Sequence, residues 1–496
     1  MNTFSFAPFI LGVLLLSASA KAQDDSSFNK KQIERGRQNW FNKTYNGWKF
    51  FEFLSTHPDP QKRVAIAFEK AINTPRAQRF QTWGTINDPD CTANPKGGPD
   101  ICKDPEATGI IGIRKSVGPN GKPVFGISCA SCHAGFDPVR NLKDPNEPKW
   151  FNIHPTIGNQ FLDSGKIFAD NMATADIRRL MLAAWPKGTV DTTLLFNDGI
   201  MNPGTITAFW NLPHRPTFDV GMDEKKGRGG QGGEDDVGAD LAAIRVYTNI
   251  GVCFKECVAS RPGQPIDLVQ CKKDCADFPP KNEIDDIVAF MRSIKSPKYP
   301  RSTELESEMY SRGEKLFVKN CASCHGGNSL ILSNDEVNPI KADPSNATNI
   351  CRSLSSNWES GKIWSQFSSN VYKDRVAAGN RGYRTMPLVG VWATAPFLHN
   401  QSIGTWASPT ATVKERGDVY ERSMMELLSA NRAPKVNVTP YAIGNIPAGT
   451  PLAYLFSRDS AGNILCNDVV ENRGHYYGSK LSDNDKKHLI HWLKFQ

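Results

Sequence analysis

The chain has 496 residues, with 59 lysines and arginines against 51 aspartates and glutamates, a formal charge of +8. Single hydrophobic cores stop growing at about 250–300 residues, so at least two folding units are expected. The positive charge is spread without a lysine or arginine block that tracks phosphates, which argues against a nucleic-acid partner. Beyond the first residues, nothing reaches the ~18 consecutive apolar side chains of a membrane span.

Residues 9–16 form an apolar run, followed by the small residues Ser17-Ala18-Ser19-Ala20. This pattern predicts a signal peptide over residues 1–22 and a periplasmic or secreted protein. Residues 23–110 read as a leading extension.

Two pentapeptides dominate the remainder of the chain: Cys129-Ala130-Ser131-Cys132-His133 and Cys321-Ala322-Ser323-Cys324-His325. In C-x-x-C-H the two thiols add to the vinyl groups of one haem and the adjoining histidine turns onto the iron, so two covalent haem c groups are expected. A zinc site would need a second ligand pair at fixed spacing, which neither copy has nearby.

The other eight of the 12 cysteines, Cys91, Cys102, Cys253, Cys257, Cys271, Cys275, Cys351 and Cys466, form an even set expected in disulfides after export.

After the first motif come His154, Trp210, His214 and Arg215. His154 and His214 are candidates to reach over the first iron, against the plainer alternative of surface or propionate-binding histidines. His154, His214 and Arg215 are also candidate acid–base groups, and Trp210 is a candidate electron relay whose ordinary alternative is core packing. The glycine-rich stretch 225–238 reads as a surface loop.

Helical spacing of apolar residues marks 177–184, 241–247 and 419–429, and strand-like alternation is sparse. Two segments read as closing helices. Residues 282–296 place Ile284, Ile287, Val288 and Met291 on one face, stopped by Pro297. Residues 482–495 start with Ser482 as cap and Asp485 as capping-box partner, with Leu489, Trp492 and Leu493 as the buried stripe and His488 and His491 as structural residues.

Before the second motif, Gly313, Phe317 and Cys321 recur every four residues, which puts a glycine and an aromatic on the face that meets a partner helix. The fold expected is mainly α, with cytochrome c-like haem units at 111–300 and 301–496.

For the second haem, His475 is the favoured second ligand, because Gly474 and Gly478 let backbone approach a flat macrocycle closely. His399, in the aromatic-lined loop Ala395-Pro396-Phe397-Leu398-His399-Asn400, is its rival, with a propionate hydrogen bond as the plainer role.

The two motifs, the stretch from Met386 through Ala395 to Asn400, the Gly474-His475 loop and the last helix together resemble the di-haem cytochrome c superfamily. That superfamily contains bacterial cytochrome c peroxidases, the methylamine dehydrogenase maturation enzyme and the rubber oxygenases. The resemblance covers about residues 110–496 and is nearer the rubber-oxygenase side. It implies two histidines on the second haem, His325 and His475, and a reactive first haem.

The peroxidases carry a histidine soon after the first motif, whereas here the next one is His154. A further departure is the pair Cys253-x-x-x-Cys257 and Cys271-x-x-x-Cys275. Pairing of Cys253 with Cys275 and Cys257 with Cys271 would crosslink two helices, while other connectivities or a four-thiolate metal site stay open.

The function expected is redox chemistry with a partner protein or a small oxidant, hydrogen peroxide or dioxygen, at the first haem. The alternative is a non-catalytic electron carrier with both irons six-coordinate.

Overall fold

The computed structural model describes residues 29–58, 60, 63–190, 203–210, 273–275, 277, 280–300, 307–325, 338–339, 382–383, 388–398, 400–452 and 471–496. The segments predicted as a signal peptide (1–22), a surface loop (225–238) and a helix (241–247), together with His214, Arg215, His399, Cys253, Cys257, Cys271, Cys351 and Cys466, lie outside these residues.

Among the described residues the structure is mainly helical, and every sheet is a two-stranded antiparallel ribbon. The longest ribbon pairs β3 (Ile113–Val117) with β4 (Pro123–Ile127) and leads into the first C-x-x-C-H motif. The short strands β1 (Cys91–Thr92) and β2 (Ile101–Cys102) pair through their cysteines, which form a disulfide. Cys275 is also disulfide-bonded.

Helix α1 (Lys30–Asn42), capped by the Asn29 side chain, packs along α8 (Lys281–Ser293). Gly36 permits the approach, since a Cβ there would sit 1.8 Å from the Asp286 carbonyl oxygen. Arg35 clamps the crossing with a bidentate bond to the Asp286 carboxylate, Nε at 2.7 Å and Nη2 at 2.8 Å. Trp40 and Phe41 then share one core with Ile111, Ala130 of α5 (Ala130–His133), and Ile284, Ile287 and Val288 of α8. Residues of the leading stretch are therefore built into the core that surrounds the first motif.

The same device recurs around the second motif. Helix α9 (Glu308–Asn320) lies on α12 (Asp483–Lys494), and a Cβ on Gly313 would meet the His488 carbonyl at 2.1 Å. One turn on, Phe317 lies against Trp492 with ring centroids 4.6 Å apart. The four-residue recurrence of Gly313, Phe317 and Cys321 thus meets its partner helix as its spacing implies. Ser482 caps α12 by accepting from the Asp485 amide; the Asp485 carboxylate accepts from Arg312 of α9 at 2.7 Å, tying the two helices together.

Helix α7 (Ile177–Ala183) occupies the predicted span, and α11 (Val413–Leu427) begins six residues ahead of the apolar pattern because Thr412 and Glu415 form a capping box there. Helix α8 ends at Ser293, before the proline stop. Ile294 is extended, and the chain beyond it offers its Lys295 carbonyl to His154 and its Pro297 carbonyl to Trp392. Tertiary hydrogen bonds, and not proline alone, set this terminus.

The two motif-bearing parts interlock. The Trp392 indole donates to the Pro297 carbonyl at 2.8 Å, and the Gln401 side-chain amide to the Gly188 carbonyl at 3.0 Å.

Candidate functional site

The first motif forms a single helical turn, α5, entered through Ser128, whose hydroxyl donates to the Phe41 carbonyl at 2.8 Å. Gly112, with φ at +77°, lies so close that a Cβ would fall 2.2 Å from the Ser131 nitrogen. The His133 Nδ1 faces the Thr207 carbonyl at 3.0 Å, and the ring rests 4.3 Å from Phe209 and 6.0 Å from Trp40. A carbonyl only accepts, so Nδ1 carries the proton and Nε2 the lone pair, the orientation a metal-ligating histidine needs.

Cys129 and Cys132 stand as thiols and not half-cystines. Burial pushes the Cys129 thiol up to about 12 and raises Cys132 as well. Two unpaired cysteines three residues apart, with a histidine directly after the second, are the set that thioether attachment of a haem requires.

The second motif forms the turn α10 (Ala322–His325) after α9. Opposite it lies His475, its ring centroid 6.4 Å from that of His325. Two metal–nitrogen bonds of about 2 Å, together with the ring radii, take up that separation. The His475 Nδ1 is sealed from solvent and has no hydrogen-bond partner among the described residues. Burial, and then the neighbouring His325, lower its pKa to about 4, so the imidazole is neutral at ordinary pH. The residues present therefore fit a haem at each motif.

His475 has φ +53°, between Gly474 and Gly478 at +94° and +78°. Left-handed backbone in a non-glycine residue is strained and persists where surroundings enforce it. Leu398 and Gln401, flanking His399, also have positive φ at +65° and +56°. Asn400 and Ser402 hold that turn to Glu471, just ahead of the His475 loop, with bonds of 3.0 and 2.9 Å to its carbonyl.

His154 and Trp210 are brought together. His154 sits in β6 (Ile153–His154), paired with Gly135 of β5 (Gly135–Phe136) just beyond the first motif. Its ring makes an edge contact with Trp210 at 5.5 Å. The Thr156 amide donates to Nδ1 at 3.3 Å and Nε2 lies 3.4 Å from the Lys295 carbonyl, so both nitrogens are engaged by backbone. Burial lowers the His154 pKa, while Asp137 and the Lys295 carbonyl pull it back. This wiring suits a positioning role better than ligation.

Trp210 is buried, donates to the Val389 carbonyl at 2.9 Å and lies over Gly390, where a Cβ would come 3.0 Å from its ring. His491 lies on the buried side of α12 with its ring 5.2 Å from Phe495, a packing position.

Thr207 and Glu471 carry parts of these sites without any motif to mark them. Thr207 acts through its carbonyl, which every residue possesses, and Glu471 acts on a turn remote in sequence.

Residues 382–420 match a protein family described as RoxA-like, cytochrome c-like. This segment is similar to that family. Covalently bound haem c and redox chemistry follow as the coarse functional class. No curated protein matches the chain. Among solved structures, a MauG-like protein associated with microbial copper homeostasis shares 17% identity, with 43% of this chain and 56% of that one covered and a TM-score of 0.19. The chain therefore spans little more than half the length of that protein, and at that score the two do not superpose as wholes.

Proposed function

We propose that the protein is an exported di-haem c oxidoreductase of the peroxidase or oxygenase type. One haem is attached at Cys129, Cys132 and His133, the other at Cys321, Cys324 and His325. The observation that carries this reading is the imidazole of His475 opposite that of His325, because an iron held on both faces by protein suits electron storage and transfer and leaves small-oxidant chemistry to the first site. Haem supplies reversible one-electron chemistry at iron and, where a coordination position is open, reaction with hydrogen peroxide or dioxygen.

The chain's own residues orient and insulate these groups. Thr207 fixes the His133 tautomer, and Phe209 and Trp40 shield the ring. Trp210 is the proposed aromatic link, since it touches His154 beside the first motif and bonds to Val389 ahead of the Leu398 turn. His154 fixes the indole from the side. His214 and Arg215 are the proposed acid–base partners of the first site, and His399 a propionate contact at the second. The neighbouring redox protein and the periplasmic location are part of the same proposal, with a non-catalytic carrier as its alternative.

Optical and EPR spectra of the oxidised and reduced protein, recorded with and without cyanide and hydrogen peroxide, separate the two. The proposal expects one haem to respond and the other to stay low-spin. Two low-spin haems inert in both oxidation states would leave the carrier.

A further inference from the structure

We propose that Arg432 is a positioning residue for the second haem site, locking the Gly474–His475 peptide so that the His475 imidazole stays opposite His325. The proposal rests on reading His475 as an iron ligand.

Arg432 lies shortly after the end of α11, and its Nε donates to the Ser429 carbonyl at 3.2 Å, which anchors the side chain to that helix end. Nη1 donates to the Asn472 carbonyl at 2.9 Å and Nη2 to the Gly474 carbonyl at 2.5 Å. The guanidinium also lies 4.2 Å from the centre of the Tyr476 ring. One rigid planar fork therefore grips two carbonyls ahead of His475 while the guanidinium also meets the Tyr476 ring just beyond it, a task that a lysine ammonium cannot reproduce. Among the described residues Arg432 forms no ion pair, so its hydrogen bonds are committed to backbone carbonyls.

The grip on Gly474 is specific in its effect. The Gly474 carbonyl and the His475 nitrogen belong to one planar peptide, so fixing the direction of that carbonyl restricts the φ of His475. Gly474 and His475 are consecutive left-handed residues, at +94° and +53°, and such a pair relaxes unless held. The rest of the loop has separate support: the Asn472 side chain donates to the Ala433 carbonyl at 2.8 Å and accepts from the Lys435 amide at 3.0 Å. Those bonds stop at Asn472, and Arg432 alone among these contacts reaches Gly474. The same cation is bonded to the carbonyl directly ahead of His475, where it favours the reduced over the oxidised state of a bound iron.

The test uses the haem-loaded full chain with R432Q, R432K and H475A. Arg432→Gln removes both the fork and the charge. It is expected to shift the low-spin EPR signal of the second haem, lower its midpoint potential and speed cyanide binding there by roughly tenfold or more, the usual scale for loss of a partner behind a ligand. Arg432→Lys retains the charge but not the two-carbonyl grip, so it is expected to keep the potential near wild type while still admitting cyanide faster. If H475A alters the second haem while both Arg432 variants leave its spectrum, potential and cyanide kinetics unchanged, with only a lower melting temperature, the positioning role is overturned. If H475A leaves the second haem unchanged, the ligand reading falls and the proposal with it.

Discussion

The Trp210 indole nitrogen donates to the Val389 carbonyl at 2.9 Å, joining the segment that follows the first haem motif to the one that precedes the strained Leu398 turn. Replacing Trp210 with Phe keeps an aromatic ring but leaves that carbonyl without its donor. The substitution is expected to lower stability by ~1–3 kcal/mol, the scale of a buried polar group left unsatisfied. Stopped-flow reduction should also show slower equilibration between the two haems. A variant that melts lower but equilibrates at the wild-type rate would make Trp210 a packing residue only.

Gly313→Ala places a Cβ 2.1 Å from the His488 carbonyl, so α9 and α12 must separate. A loss of at least ~1–3 kcal/mol is expected in denaturant unfolding, as for overpacked cores. Gly36→Ala should do the same at the α1–α8 crossing, and the two losses should add, because the sites share no partners.

Much of the second crossing was legible in the sequence. The spacing of Gly313, Phe317 and Cys321 named the packing face, and Ser482 named the start of the partner helix. The equivalent pair in the first unit, Gly36 and Trp40, has the same spacing but lies far ahead of Cys129 in sequence, with a disulfide hairpin and the β3–β4 ribbon between, so only the fold reveals it. The C-x-x-C-H motifs declare their chemistry locally, and the glycines around His475 take the left-handed backbone that glycine permits, at +94° and +78°. Thr207 and Arg432 escaped because a carbonyl acceptor and a remote guanidinium leave no pattern at the positions they serve.

A buried charge cluster braces the segment ahead of the first motif. The Asp100 carboxylate accepts from Arg76 at 2.6 Å and Arg79 at 2.9 Å, and all three side chains are almost wholly enclosed. Asp100→Asn would leave the buried Arg79 without a counter-charge among the described residues and Arg76 with only the exposed Glu147. A destabilisation of ~3–5 kcal/mol is expected, the scale for breaking a buried ion pair from one side, measurable as a drop in the unfolding midpoint.

The Arg312–Asp485 contact gives a pH dependence with a definite sign. The hydrogen bond from Arg312 holds the Asp485 carboxyl below its ordinary value. Its contribution is thus fully present above the unfolded carboxylate pKa of ~3.9 and is lost as pH falls through the lower folded value. Arg312→Ala should therefore flatten the acid side of a melting-temperature profile and leave the slope above about pH 5 unchanged. An identical acid limb in wild type and variant would show that the pair contributes nothing.

In the proposed function, the division of labour between two haems turns on His475 as the second protein ligand of the haem on the Cys321–His325 motif, with the first haem as the reactive one. Low-temperature EPR of oxidised wild type and His475→Ala, each with and without cyanide, tests this assignment. The second haem should be low-spin and cyanide-inert in wild type and become high-spin and cyanide-binding in the variant, while the first haem is unaltered. An unchanged second-haem signal in His475→Ala would refute the assignment.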